Sequence, residues 1–224
     1  MFAIGHAATA LLVKRAYPSV PTTPILISVQ AMEFAWAALN YLSIERMTTE
    51  PVVRSVADLH LEYMPWSHSV ATPVVAALAV WLVIEKGFSR AALGRAVGIG
   101  IVSHLILDLL MHGHDIALWP GLASPKLGTG LYEAPFAAFI VELVYGIRCW
   151  VVYRGSRGLL ALIVIGNLAN LPFLSPAIPW PLNFLAGRPT LIVALILAQI
   201  IVTLVLVGLL APRPEEEAKA KSSM

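Results

Sequence analysis

The run AALGRAVGIGIVSHLILDLLM, residues 91–111, decides the fold class of this chain. Its 21 residues include only two that are formally charged, Arg95 and Asp108. An α-helix of this length is about 30 Å long, which matches the hydrocarbon core of a bilayer. The run therefore predicts a transmembrane helix that carries polar groups in its second half.

The composition of the whole chain agrees with a membrane protein. Of the 224 residues, 58% are hydrophobic and 12% are charged, and the mean hydropathy is +0.80. Soluble domains carry about 25% charged residues. We therefore expect most of the surface to face lipid instead of water.

Six further apolar segments accompany this run. The full set is roughly 2–17, 23–44, 68–85, 91–111, 131–153, 158–175 and 189–211. The sequence thus predicts an all-α, polytopic transmembrane bundle of about seven membrane segments, forming one domain over residues 1–211. The proline-rich connection 176–188 is typical of an interfacial or re-entrant loop, and the charged tail 212–224 is predicted to be disordered.

The distribution of basic residues predicts an orientation. With seven spans, eleven Lys and Arg residues fall on one side and four on the other. Cytoplasmic loops carry the excess of basic residues, so we expect an inner (plasma) membrane protein with its N-terminus outside and its C-terminus cytoplasmic. Lys14 and Arg15 follow the first apolar stretch instead of preceding it, which favours a retained helix over a cleaved signal peptide.

Polar residues form a stripe along the fourth segment. His104, Asp108 and His112 recur every four residues, so on a helix they share one face. A histidine and a carboxylate at this spacing can bind one metal ion, and the pair suits zinc, manganese or iron better than calcium. Ionisable groups inside a bilayer are costly and usually functional, so the stripe predicts a metal or catalytic role.

The predicted topology brings further ionisable residues to the same outer face. His6 lies about one turn into the first segment, Glu33 lies in the second, and His68 begins the third. The predicted metal ligands are therefore His6, Glu33, His68, His104 and Asp108, with zinc the leading candidate for the divalent ion.

Simpler interpretations stay open for individual residues. His6 alone is also explained by a hydrogen bond to a neighbouring helix. Glu142, near the middle of the fifth segment, suits a partner for a histidine, a proton carrier or a structural role. His60 and His114 fall in predicted loops, where we expect them to be solvated.

Several functional classes are disfavoured. The formal net charge is +2, and no basic stripe interleaved with aromatic residues occurs, so nucleic acid is not an expected partner. The single cysteine, Cys149, excludes a cysteine-rich zinc cluster. The chain also has no glycine-rich phosphate loop and no nucleophile elbow.

These polar motifs resemble those of the bacterial membrane-bound metal-dependent hydrolases, a family of inner-membrane proteins. The matching elements are Gly5-His6, Gln30-Ala-Met-Glu33, Ser67-His68-Ser69 and Ser103-His104-Leu-Ile-Leu-Asp108. The resemblance covers roughly residues 3–145. This chain has Glu33 where the family pattern leads us to expect Asp.

The resemblance implies a membrane-embedded hydrolase that acts on a lipid-like or phosphoester substrate near the outer membrane face. In this hypothesis His112 or Asp115 acts as general base or orients a ligand. Two alternatives remain, a non-catalytic accessory subunit of a larger membrane complex and a small transporter or proton pathway. The expected partners are the lipid bilayer together with either a lipid-like substrate or that larger complex.

Overall fold

A computed structural model describes residues 1–121, 123–174 and 182–211 of the chain. Its α-helices are α1 (Ala3–Ala16), α2 (Thr22–Ser28), α3 (Ala31–Tyr41), α4 (Ala71–Leu82), α5 (Ala91–Met111), α6 (Pro135–Tyr153), α7 (Arg157–Ala169), α8 (Leu171–Leu174) and α9 (Pro189–Leu210). Its strands are β1 (Arg46–Thr49), β2 (Leu59–Tyr63), β3 (Ile116–Ala117) and β4 (Lys126–Leu127). The predicted tail 212–224 and residues 176–181 of the predicted loop lie outside the described residues.

The predicted seven-span, all-α bundle is wrong. Among the described residues, three helices are long and apolar enough to cross a membrane, namely α5, α6 and α9. The fold also contains two short antiparallel strand pairs. Because the orientation count assumed seven spans, this fold does not support it.

The first predicted span fails because its helix is short and central. Helix α1 has 14 residues, or about 21 Å at the usual rise, which is less than the ~30 Å hydrocarbon core. It packs against α2, α5, α6, α7 and α9. Even Lys14, near the end of this helix, is buried and donates hydrogen bonds to the carbonyls of Pro18 and Val20 at 2.7 and 2.9 Å. Hydropathy does not separate a helix buried in protein from one that faces lipid.

The second predicted span is divided into α2 and α3. Ser28 donates its hydroxyl to the carbonyl of Ile25 at 2.7 Å, a local bond that competes with the helical pattern. Gln30, between the two helices, donates its side-chain amide to the carbonyl of Ala3 at 3.2 Å. The interruption leaves the carbonyl of Val29 outside a helix, where a side chain can reach it.

The strands position the loop that leads into α4. Strand β1 pairs with β2, and β3 pairs with β4, both antiparallel. Ser69 and Ala117 form a parallel bridge, and the amide of Val70 donates to the carbonyl of Ala117 at 2.8 Å. These bonds hold the segment around His68 beside the C-terminal end of α5.

Large apolar side chains face outward on the three long helices. Examples are Ile106 of α5, Phe136 of α6, and Val202, Val205 and Leu209 of α9, each more than half exposed. Soluble proteins seldom expose such extended apolar surface. Together with the length of these helices, this surface indicates association with a membrane.

Candidate metal centre

Three parts of the chain meet at one end of α5. The second half of α5 supplies His104 and Asp108, the first turn of α3 supplies Glu33, and the loop before α4 supplies His68. Each residue offers one ligand atom, and these four atoms all lie within 4.8 Å of one another. His68, His104 and Asp108 are buried, and Glu33 is half-buried. This cluster of one glutamate, two histidines and one aspartate could hold a metal ion.

The separations suit a single ion. His104 Nε2 lies 2.9 Å from Asp108 Oδ2 and 3.8 Å from Glu33 Oε1. His68 Nε2 lies 3.8 Å from Glu33 Oε1 and 3.9 Å from Asp108 Oδ2. Two ligands about 2.1 Å from a common ion are at most ~4.2 Å apart, so all four contacts are within reach. The carboxylate of Glu33 thus lies equally close to both rings.

The orientation of His104 is fixed by the interruption between α2 and α3. Its Nδ1 lies 2.9 Å from the carbonyl oxygen of Val29. A carbonyl only accepts, so Nδ1 carries the proton and donates. In the neutral ring, Nε2 is then an unprotonated ligand atom that faces Asp108 and Glu33. Metal-binding histidines are typically oriented by such a bond from the other ring nitrogen.

His68 is oriented by a second hydrogen-bonded chain. The Ser67 hydroxyl donates to Glu45 Oε2 and therefore accepts from His68 Nδ1, which lies 2.8 Å away. Glu45 is itself held by the amides of Trp66 and Ser67, each at 2.8 Å. The proton of His68 is thus on Nδ1, and Nε2 again faces carboxylates.

This donor set fits a cation. Nε2 of each ring is directed at the carboxylates of Glu33 and Asp108, and His104 Nε2 has no hydrogen-bond partner among the described residues. A nitrogen lone pair that faces carboxylate oxygens is repelled unless a metal ion or a second ring proton lies between them. A divalent ion at this point satisfies all four groups together.

The charges of the ligands are mutually dependent. Burial alone would raise the pKa of Glu33, but contact with His68 and the charge of His104 hold it at about 2. Burial likewise disfavours the charged form of His68, but the carboxylates of Glu33 and Asp108 outweigh it and raise its pKa. The raised pKa means that protons compete with a metal ion for His68.

His6 lies beside the four-residue cluster. Its Nε2 is 3.2 Å from Asp108 Oδ1, the oxygen opposite the one that faces the two histidines, and its ring stacks on His104 at 4.1 Å. Burial, followed by the charge of His104, lowers the pKa of His6 to about 3, so the ring is neutral. The α-amino group of Met1 also contacts Asp108 Oδ1, at 2.8 Å. His6 therefore contacts a cluster residue, Asp108, instead of belonging to the compact group.

The two predicted catalytic residues lie on the wall of a neighbouring cavity. His112 Nδ1 is 3.7 Å from Asp115 Oδ2, and both residues line a cavity of about 580 Å³. The ring of His112 lies 6.0 Å from that of His68, which places this pair next to the cluster. His60 and His114 are both exposed.

Glu142 supports the site from α6. It accepts hydrogen bonds from the amide of Phe2 at 3.2 Å and from the hydroxyl of Tyr132 at 3.4 Å. The Tyr132 ring packs edge-on against His112 at 5.5 Å, and burial, followed by the charge of Glu142, raises the pKa of Tyr132 well above its usual range. Tyr132 is thus a neutral donor, and Glu142 connects the start of α1 to the wall that holds His112.

Two supporting groups had no signal in the sequence. Glu45 is 22 residues from Ser67, and the carbonyl of Val29 is 75 residues from His104. Neither separation follows a helical or strand period, so no local pattern indicates these contacts. Ser67 could have been found, because it directly precedes His68 in the quoted motif.

Comparison with known proteins identifies no relative: no family model, no curated protein and no solved structure matches this chain. The resemblance to membrane-bound metal-dependent hydrolases therefore stays a prediction. The interpretation of the cluster as a metal centre depends on the geometry of its own residues.

Proposed function

We propose that this chain is a membrane-embedded, metal-dependent hydrolase whose metal is held by Glu33, His68, His104 and Asp108. The observation that supports it best is the orientation of the two imidazoles. Each is held through Nδ1 so that Nε2 is directed at the same two carboxylates. The resemblance of the polar motifs to those of the membrane-bound metal-dependent hydrolases agrees with this proposal.

The donor set favours zinc, with manganese or iron as alternatives. Two imidazoles and two carboxylates suit these ions, whereas calcium prefers a larger set of oxygen ligands. We assign His6 to the support of Asp108, because it contacts the opposite carboxylate oxygen. A bound divalent ion would activate water and polarise the scissile group of a substrate.

In this proposal the protein supplies the proton transfer through His112 and Asp115. Asp115 Oδ2 lies 3.7 Å from His112 Nδ1, within ion-pair distance. Both residues line the cavity, so either can take a proton from water beside a substrate. General bases of this kind typically contribute about 10²- to 10⁴-fold to rate.

We further propose that the site opens on the outer face of the inner membrane. Arg90 and Arg95 lie at the start of α5, and Arg154 and Arg157 lie where α6 ends and α7 begins. Helix ends that carry basic residues favour the cytoplasmic side of the membrane. The opposite ends of these helices, with the cluster and Met1, then lie on the outer side. Helix α9 returns to the α7 end, where Leu210 approaches Gly158. The N-terminus is then outside and the C-terminus cytoplasmic.

Turnover after controlled metal loading tests the proposal. The purified protein is stripped with chelator, reloaded with zinc, manganese or iron, and supplied with chromogenic carboxyl esters and phosphoesters. We expect metal-dependent hydrolysis that falls at least about 100-fold in His112→Gln, without loss of metal. Arg95→Gln, which changes an exposed side chain near the start of α5, outside the cavity, is the control and should retain turnover.

Three outcomes would contradict this function. Full turnover in the stripped protein would exclude a role for the metal. Purification without metal, together with a stoichiometric large partner, would favour the accessory-subunit alternative, and pH-dependent flux in vesicles without hydrolysis would favour the transporter.

A further inference from the structure

The cavity beside the metal centre has two chemically different ends. It encloses about 580 Å³, a volume typical of sites that hold one small ligand. Its polar end carries Glu33, His68, His112 and Asp115. Its other part is mostly apolar and is formed by Phe173, Leu185, Ile192, Leu195, Ile196 and Ile200. Gln199 is the polar exception on α9, and its side-chain amide donates to Asn170 Oδ1 at 2.7 Å.

Trp36 packs against both polar and apolar residues of the cavity wall. Its ring is 6.4 Å from that of His68, and Trp36 also belongs to a buried apolar cluster with Leu185 and Ile192. Trp36 is 3% exposed and lines the cavity. Its Nε1 is buried without a hydrogen-bond partner among the described residues. Buried indole N–H groups usually have an acceptor. A ligand in the cavity could supply the acceptor that Trp36 Nε1 lacks.

A ligand that completes this site needs two parts. One part carries an oxygen acceptor that faces Trp36 and the metal centre. The other part is apolar and covers Ile192, Ile196 and Ile200 along α9. A wholly polar ligand would leave its own groups unsatisfied against that wall, and a wholly apolar ligand would leave the Trp36 N–H unpaired.

We propose that the cavity binds a single-chain amphiphile with an anionic, oxygen-bearing head group. The chain lies along α9, and the head group lies at the metal centre and accepts a hydrogen bond from Trp36 Nε1. The proposal assigns a substrate class to the hydrolase proposed above and rests on that function. It adds Trp36 as the residue that recognises the head group. It also adds Ile196 as a residue that limits the length of the alkyl chain that can bind.

Binding of linear alkylphosphonates to the full, metal-loaded chain in detergent tests the proposal. These probes carry an anionic head group that is not hydrolysed, and their chains can be lengthened from four to twelve carbons. Burial of each methylene should raise affinity about threefold to fourfold until the apolar end is filled, after which affinity should level off. Isothermal titration gives the dissociation constant for each length.

Three variants separate the parts of the proposal. Ile196→Trp fills the apolar end, so the gain in affinity should stop at a shorter chain. Ile201→Trp adds the same bulk to the exposed side of α9, outside the cavity, and should behave as the unmodified protein in the same detergent. Trp36→Phe removes the N–H donor and should lower the affinity for every probe about 10-fold or more. The factor should be similar for all chain lengths.

The outcomes distinguish this inference from the proposed function, because metal content is measured on the same samples. Bound metal with no dependence on chain length, or equal behaviour of Ile196→Trp and Ile201→Trp, would overturn the inference and leave the metal centre intact. Unchanged affinity in Trp36→Phe would overturn the head-group assignment. Chain-length dependence in a protein that holds no metal would support the cavity assignment and contradict the hydrolase.

Discussion

Substitution of Ser67 by alanine should weaken metal binding although Ser67 is not a ligand. The Ser67 hydroxyl donates to Glu45 and accepts from His68 Nδ1, and it is 2% exposed. Without it, His68 Nδ1 loses its acceptor in a place that water does not reach freely. The ring is then free to rotate Nε2 away from Glu33 and Asp108.

The magnitude follows from the contacts that remain. Glu45 keeps the backbone amides of Trp66 and Ser67, so the main cost falls on the unpaired N–H of His68. A buried donor left unsatisfied costs about 1–3 kcal/mol. Loss of an outer hydrogen bond to a metal ligand typically lowers affinity about 10- to 100-fold, or ~1.4–2.7 kcal/mol. The two figures agree.

Competition with a chromophoric zinc chelator measures this loss directly. Ser69→Ala is the matched control, because Ser69 flanks His68 on the other side and its hydroxyl contacts Thr72 at 2.9 Å. Ser67→Thr retains a hydroxyl and should restore most of the affinity. Equal metal affinity in Ser67→Ala and Ser69→Ala would refute the proposed role of the hydroxyl in orienting His68.

Two further predictions concern protons and packing. Metal affinity should fall as pH falls, and the fall should begin above pH 6.5, the usual pKa of histidine. The reason is that the raised pKa of His68 lets protons compete with the metal at higher pH. A metal affinity that is constant between about pH 6 and 8 would contradict this. Gly100→Ala should lower stability by about 1–3 kcal/mol, because a Cβ there would overlap the side chain of Ser28. Gly87→Ala, which meets open space, should melt as the unmodified protein does in detergent.

The long apolar helices could be predicted from the sequence. The predicted segment 91–111 matches α5, and 189–211 matches α9 within one residue. Such helices combine sufficient length with continuous hydropathy, so no tertiary contact is needed to define them. The spacing of His104 and Asp108 also predicted a shared helical face, and the two side chains are in contact.

The shorter elements could not be predicted because tertiary contacts define them. The apolar side chains of helix α1 pack against other helices. Hydropathy cannot distinguish such packing from contact with lipid. The interruption at Val29 and Gln30 depends on a bond to Ala3, and the bridge between Ser69 and Ala117 joins distant segments. The same long-range contacts position the predicted ligands, so the sequence could suggest these residues but not how they are arranged.

Elemental analysis of the purified protein tests the central claim most directly. The full chain, prepared without chelator, should hold about one equivalent of a divalent transition metal. His104→Ala should lose it, because His104 contacts both carboxylates of the cluster. His114→Ala removes an exposed imidazole from a nearby position and should retain it. Equal metal content in the two variants, or a folded unmodified protein without metal, would contradict the metal centre.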